Sequence, residues 1–281
     1  MKNRVVTSVA ILACALAVVI FSEFIVYPLA VALLAVVAAF EVLRVIGAHK
    51  IMALSIPAYL ISAAFPISAY FVNSDNSLQF LLILAACVFV YLVWLMGVSV
   101  FSRGKIAFSK VSEVLVGVTY VAVSFTSLSL IRYITPNFGV FLVVLVFVIS
   151  WTSDTAAFAV GSFIGKHKLI PEVSPKKTVE GAIGGVVFSA LLATAYGFGL
   201  DLIIENIQVN YLYLFLFGLI LSVVSQLGDL IASLIKREYG VKDYSRIFPG
   251  HGGVLDRFDS VLAVSTILLI LSIVFPPFMV G

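Results

Sequence analysis

Charge is what this sequence has least of. Only 11% of its 281 residues are Asp, Glu, Lys or Arg, against 62% hydrophobic. A soluble domain carries about 25% charged and about 45–50% apolar residues, so a soluble globular protein is excluded. Cysteine is nearly absent. Cys14 and Cys87 both sit inside apolar runs, which excludes a disulfide framework and a cysteine-rich metal site. Alternation of apolar and polar residues is missing as well, so the runs are not strands of a transmembrane barrel. The opening "MKNRVVTSVAILACALAVVI" lacks a small-residue cleavage signature, and its apolar stretch runs past Cys14 to Phe21. It reads as a first membrane span, not as a secretory signal.

What is present is a succession of apolar runs, each near the roughly 20 residues needed to cross a bilayer. Nine spans are predicted, at 5–22, 26–45, 52–72, 78–98, 113–131, 138–161, 179–199, 211–235 and 259–279. No internal repeat or low-complexity linker divides them. The expectation is an all-α, polytopic transmembrane helical protein built as a single integral membrane domain, with an N-terminal helical part (1–135) and a motif-bearing part (136–281). With these spans, every one of the 17 Lys and Arg residues except Arg132 falls on one side. Lys and Arg resist translocation, so that side is cytoplasmic and so is the N-terminus.

Ionisable groups inside the spans are costly and few. Glu41, three residues before Arg44, reads as a local pair snorkelling at the end of its span. Asp154, in "SWTSDTAAF", lies deep in an apolar run with Ser150 one turn before it. The run "LSVVSQLGDLIASLIKREYG" carries Ser222, Ser225, Asp229, Ser233 and Lys236. At about 100° per residue these fall within a sector about 80° wide. A seam of interhelical hydrogen bonds accounts for the serines; Asp229 calls for a cation or another partner.

Two polar segments lie on the basic side. In "PGHGGVLDRFD", Asp256 and Asp259 are spaced i, i+3, on one helix face. Helix capping is the rival explanation for them. Gly250, His251, Gly252 and Gly253 form a turn whose backbone amides can converge on an anion, and Lys236, Arg237, Lys242 and Arg246 precede it. In "GKHKLIPEVSPKKTVEGAIGG", Lys176 and Lys177 stand at a helix start, where their sign is wrong for the helix dipole and right for a facing phosphate. Carboxylates suit Mg²⁺, which takes one or two of them and fills its other positions with water and substrate phosphates. Metal, lysines and a glycine turn together fit phosphoryl or nucleotidyl transfer. Their place at the membrane surface implies one lipid and one water-soluble substrate.

The segment Ser233 to Asp259, "SLIKREYGVKDYSRIFPGHGGVLDRFD", closely resembles the signature of the phosphatidate cytidylyltransferases, or CDP-diacylglycerol synthases. The matching positions are Ser233, Lys236, Arg237, Lys242, Asp243, Ser245, Phe248, His251, Gly252, Gly253, Asp256, Arg257 and Asp259. "SPKKTVEG" (Ser174 to Gly181) and "SQLGD" (ending at Asp229) are also similar to the family. The resemblance is specific over roughly 150–260; the N-terminal half agrees only in being apolar spans. It implies that CTP and phosphatidate give CDP-diacylglycerol and pyrophosphate, with Mg²⁺ required, a second cation (K⁺), a homodimer, and no nucleic-acid partner. It places the enzyme in the cell's inner (plasma) membrane, its active site facing the cytoplasm. By the same resemblance Asp229 and Asp256 are the main metal ligands, with Asp154 and Asp259 close by. Lys176, Lys177 and Arg257 hold phosphates, and His251, Gly252 and Gly253 shape the nucleotide pocket. Ser174, Ser233, Lys236, Arg237 and Lys242 are the remaining substrate-binding candidates. One departure is that Gly161-Ser162 stands where family members often have Gly-Arg, leaving Lys166 as the nearby basic residue.

Two other functions fit part of this pattern. A lipid-alcohol kinase acting on polyprenol or phytol would need a base near the metal, a role open to Asp154; the completeness of the "KDYSRIFPGHGGVLDRFD" match argues against it. A cation-coupled transporter could use Asp154 and Asp229 as an ion site, but would not need basic, glycine-rich loops beside its carboxylates.

Overall fold

The structure, a computed structural model, describes residues 22–73, 75–135, 137–248 and 252–280. The first predicted span falls outside them but for Ser22, and so does His251. Among the described residues, eight helices are long and apolar enough to cross a bilayer, and the chain is a multi-pass membrane protein. In order they are α1 (Val26–Ile46), α2 (Met52–Ser68, continued by a 3₁₀ turn at Ala69–Phe71), α3 (Ser77–Phe101), α4 (Phe108–Ile134), α5 (Gly139–Ile164), α6 (Val179–Ile203), α7 (Tyr211–Glu238) and α8 (Leu255–Val274). The described residues also include four short strands: β1 (Lys168–Ile170), β2 (Ser174–Thr178), β3 (Ile207–Val209) and β4 (Phe278–Val280). Each predicted span from the second onward has its helix. The last is displaced: α8 begins four residues before position 259, so both Asp256 and Asp259 are helical. It ends at Val274 because Pro276 and Pro277 cannot continue it.

The chain divides into two compact units, one within Met1–Pro136 and Glu238–Arg257, the other within Asn137–Arg237 and Phe258–Gly281. In the first, α4 is the central element. Val111, Val114, Val118, Val121 and Phe125 repeat at helical spacing and are buried. Against it lies α1, whose Ala35, Ala38 and Ala39 are fully buried. Small residues let membrane helices approach closely, and a methyl added at Gly117 of α4 would lie 2.6 Å from Val42 of α1. The Tyr27 hydroxyl donates to the Leu128 carbonyl at 3.0 Å, fixing the other end of the same pair. By contrast α3 buries only Tyr91 and Leu95. The rest of that helix is apolar surface suited to lipid.

In the second unit α5 and α6 form a close antiparallel pair joined by the antiparallel β1–β2 hairpin. Gly181 and Gly185 of α6 stand four apart, the spacing that lets two membrane helices touch backbones. A methyl at Gly181 would lie 2.5 Å from the Ala157 carbonyl, and one at Gly185 2.9 Å from the Ser153 carbonyl. Thr178 caps α6 by accepting from the Gly181 amide at 3.1 Å. At its other end the unit pairs β3 with β4 in the register Ile207↔Val280, Gln208↔Met279 and Val209↔Phe278.

Candidate active site

Within the second unit, four elements bring charged side chains together. β2 delivers Lys177, α7 Asp229, α5 Asp154 and α8 Asp259. Lys177 Nζ lies 2.6 Å from Asp229 Oδ2, both side chains about three-quarters buried at 24% and 28% exposure. The ammonium itself is shielded from solvent, and its contact with Asp229 is an ion pair without hydrogen-bond alignment. One turn further along α7, Ser233 Oγ donates to the other oxygen, Asp229 Oδ1, at 3.4 Å. Asp229 is therefore a carboxylate held at both oxygens, and it is also the electrostatic neighbour of Asp154 and of Asp259. Ser260 Oγ donates to Asp154 at 3.1 Å to Oδ2 and 3.4 Å to Oδ1, while the Ser260 amide donates to Asp259 Oδ1 at 2.8 Å. One serine thus steadies two of the three carboxylates.

A glycine sets the spacing of α7 and α8. A methyl at Gly228 would lie 2.6 Å from the Asp259 carbonyl and 3.0 Å from Ala263. Only a residue without a side chain lets the turn carrying Asp229 approach the turn carrying Asp259 so closely. Behind the carboxylates the serines do not form the expected hydrogen-bonded seam. Ser150, Ser222 and Ser225 are fully buried, and among the described residues their hydroxyls have no hydrogen-bond partner; Ser153 does reach across, donating to the Ser222 carbonyl at 3.4 Å, as does Ser189 of α6 to the Ile149 carbonyl at 3.4 Å.

The glycine-rich segment belongs to the first unit, where its amides do converge on anions, but on the protein's own carboxylates. Asp256 Oδ2 accepts from the Tyr244 amide at 2.8 Å and the Gly253 amide at 2.9 Å. Gly252 adopts φ +80°, a conformation that favours glycine, and its carbonyl accepts from the Phe248 amide at 3.0 Å. The second anion is Glu41. Among the described residues it makes no ion pair with Arg44, which is exposed, so the local pair expected from sequence is not formed. Fully buried, Glu41 accepts instead from Ser245 Oγ at 2.5 Å, the Val254 amide at 2.9 Å and the Leu255 amide at 2.8 Å.

Residues 2–275 match the cytidylyltransferase family. The chain belongs to that family. It is 40% identical over 179 residues to the phosphatidate cytidylyltransferase of Staphylococcus haemolyticus, covering 64% of this chain and 65% of that protein. To the Bacillus subtilis phosphatidate cytidylyltransferase it is 40% identical over 177 residues, covering 63% and 64%. To that of Staphylococcus aureus it is 41% identical over 175 residues, covering 62% and 64%. The match thus spans just under two thirds of these relatives' own lengths.

The sequence-predicted residues separate into two groups. Asp154, Lys177, Asp229, Ser233 and Asp259 gather as described. Lys236 belongs to the same unit and is an electrostatic neighbour of Asp259. Ser174, Lys176 and Arg237 are in that unit too, Ser174 half-buried and the two basic residues exposed. Lys242, Gly252, Gly253, Asp256 and Arg257 belong to the first unit. Lys176 and Lys177 are not in a helical first turn; they lie on β2, and the acidic residue Glu180 occupies the first turn of α6. It accepts from His167, Nδ1 being 2.6 Å from Oε1, which closes the hairpin onto the helix. Sequence reasoning missed Glu41, Tyr244 and Ser260. For Glu41 a signal existed: a charge in an apolar run was assigned to the nearest opposite charge in sequence.

Proposed function

We propose that this chain is a phosphatidate cytidylyltransferase. CTP and phosphatidate are its substrates, and CDP-diacylglycerol and pyrophosphate its products. The observation that carries the reading is the Lys177–Asp229 pair, set beside Asp154 and Asp259 at one end of membrane-spanning helices. Family membership and the activity of relatives about 40% identical support it.

The chemistry needs no deprotonation of the lipid. A phosphate monoester is already anionic near neutral pH. One of its oxygens attacks the α-phosphorus of CTP, a new P–O bond forms, and the bond to the oxygen bridging the β-phosphorus breaks. Pyrophosphate leaves with that electron pair. Charge grows on the bridging oxygen as it departs, so fixed cations there contribute most. Lys177, held by Asp229, supplies one such cation; Arg257, Lys176, Lys236, Arg237 and Lys242 bind the phosphates of either substrate. Ser174, Ser233, His251, Gly252 and Gly253 complete the substrate contacts.

The donor set suits magnesium. Asp154, Asp229 and Asp259 offer carboxylate oxygens, of which that ion takes one or two and fills its other positions from water and phosphate; among the described residues no three His, Cys, Asp or Glu side chains are grouped to hold an ion by themselves. Asp229 and Asp256 are the ligands the resemblance assigns, with Asp154 and Asp259 nearby and K⁺ as a second cation. Bound there, Mg²⁺ would neutralise charge on the transferring phosphate. The bias of Lys and Arg toward one side supports an inner (plasma) membrane protein whose active site faces the cytoplasm. The homodimer rests on the resemblance alone.

The test uses the purified full-length protein in detergent, with CTP, phosphatidate and either Mg²⁺ or a chelator. Formation of CDP-diacylglycerol, identified by mass spectrometry and lost with the chelator, is expected. CTP consumption only with polyprenol or phytol, or no lipid product with any divalent ion, would contradict the proposal.

A further inference from the structure

We infer that Glu41, on α1 of the N-terminal bundle, is a positioning residue for the residues that flank the glycine-rich turn, Ser245 before it and Gly253 to Leu255 after it, and through them for the binding of CTP. The inference rests on the proposed function in one respect, that this segment contributes to the nucleotide site.

A carboxylate fully buried in an apolar helix is costly unless donors surround it. Glu41 has three, and all come from the segment 245–255. Ser245 Oγ and the Val254 amide donate to Oε1, and the Leu255 amide to Oε2. Val254 and Leu255 are where α8 begins, and the first amides of a helix have no partner within it. Glu41 therefore caps α8 from another helix, placing negative charge at its positive end. Steric packing makes the same point. A methyl at Gly253 would collide with the Glu41 carboxylate, so Gly253 is glycine because Glu41 occupies the space its side chain would need. The next residue along the contact, Ser245, also accepts from the Ile247 amide at 3.3 Å, so the bend before the glycines is tied to the same oxygen.

A second anchor lies near the start of the segment. Lys110 on α4 donates to the last carbonyl of α1, at Ile46, at 2.8 Å and to Glu113 at 2.7 Å, and sits 5.6 Å from the centre of the Tyr239 ring. The Tyr239 phenol is hydrogen-bonded to Glu113, and burial together with that bond raises it above its ordinary pKa. The motif segment is thus held at both ends by the N-terminal helices. That gives those helices a role in the chemistry without contact with substrate.

The experiment compares wild type with Glu41→Gln, Glu41→Ala, Ser245→Ala and Gly253→Ala, all as full-length protein in detergent. Two quantities are read: amide hydrogen exchange across 244–257, and the separate KM values for CTP and phosphatidate. Losing one or two net hydrogen bonds should raise the KM for CTP roughly tenfold in Glu41→Gln while the KM for phosphatidate moves by less than about twofold. Exchange in 244–257 should accelerate, with α2 and α3 unchanged. Ser245→Ala should shift both readouts the same way by less, and Gly253→Ala should resemble Glu41→Gln. If Glu41→Ala does not fold, the other three variants decide the matter. Wild-type exchange in Glu41→Gln overturns the inference, and so does faster exchange with an unchanged KM for CTP. Equal changes in both KM values with protection lost throughout the chain would reduce Glu41 to a general stabilising residue, and that also overturns it. Were wild type to make no CDP-diacylglycerol, the proposed function would fall, while the exchange readout would still decide whether Glu41 holds the segment.

Discussion

Lys177 and Asp229 stand 2.6 Å apart, the lysine on the strand that leads into α6 and the aspartate on α7. The pair joins two motifs that are far apart in the chain. Asp229 also receives Ser233, so the lysine is held on a carboxylate that cannot easily turn away. A fixed cation at a site of growing phosphate charge is worth about a hundredfold or more in rate. Lys177→Ala should lower kcat/KM by about that factor and lower the melting temperature in detergent as well, because it leaves Asp229 without its cation, and Lys177→Arg should do both by less. A Lys177→Ala enzyme of wild-type activity would remove the lysine from the mechanism.

The aspartates are predicted to separate by role. Asp229→Asn and Asp259→Asn should raise the Mg²⁺ concentration giving half-maximal activity by roughly tenfold or more, the scale on which groups around a metal tune its affinity. Asp256 also holds the Tyr244 and Gly253 amides. Asp256→Ala should therefore cost roughly 1–3 kcal/mol of stability as well, because two backbone donors lose their acceptor. Parallel Mg²⁺ titrations and thermal melts distinguish the two kinds of effect. Equal melting temperatures for Asp256→Ala and wild type would contradict the assignment.

Gly228 offers a test that leaves every charged group in place. A methyl there meets the Asp259 carbonyl at 2.6 Å, backbone that cannot rotate aside. Gly228→Ala should displace α7 from α8 by a few tenths of an ångström and lower kcat more than either KM, since misplacement near the chemistry is costly. Gly228→Val should abolish activity. Full activity in Gly228→Val would mean that the two helices have freedom the structure does not show.

Ser260 is the shared donor of Asp154 and Asp259. Its hydroxyl is one neutral donor to a carboxylate, so Ser260→Ala should reduce kcat/KM by roughly three- to tenfold. The loss should be absent from an Asp154→Asn background, where the same contact is already weakened. Additive losses in the double variant would show that Ser260 acts on something other than Asp154.

Much of this was legible in the residues themselves. Apolar runs near 20 residues located α1 to α8 to within a few positions, because a bilayer leaves the backbone few alternatives to helix. At helical spacing the stripe Ser222, Ser225, Asp229, Ser233 falls on one face of α7, the face that carries Asp229 to Lys177. The cost of a carboxylate in hydrocarbon marked Asp154 and Asp229. What could not be read was partnership over distance. Glu41 has a basic residue one turn away, yet its donors are backbone amides of residues more than two hundred positions later. Backbone amides look alike in every sequence, so nothing distinguishes those at Val254 and Leu255 until the chain is folded. The β1–β2 hairpin is not legible for a related reason: its strands are short and polar, so Lys177 looks like the opening of α6 although it sits on the strand before it.

The central claim is transfer of a cytidylyl group to a lipid phosphate, and the fate of the phosphorus atoms tests it most directly. Purified protein would be given phosphatidate, Mg²⁺ and CTP labelled at either the α- or the γ-phosphate. The account predicts α-label in the lipid fraction as CDP-diacylglycerol and γ-label only in pyrophosphate, both absent from Asp229→Asn. Label from the γ-phosphate appearing in lipid, or release of free phosphate in place of pyrophosphate, would contradict it and identify a kinase or a hydrolase instead.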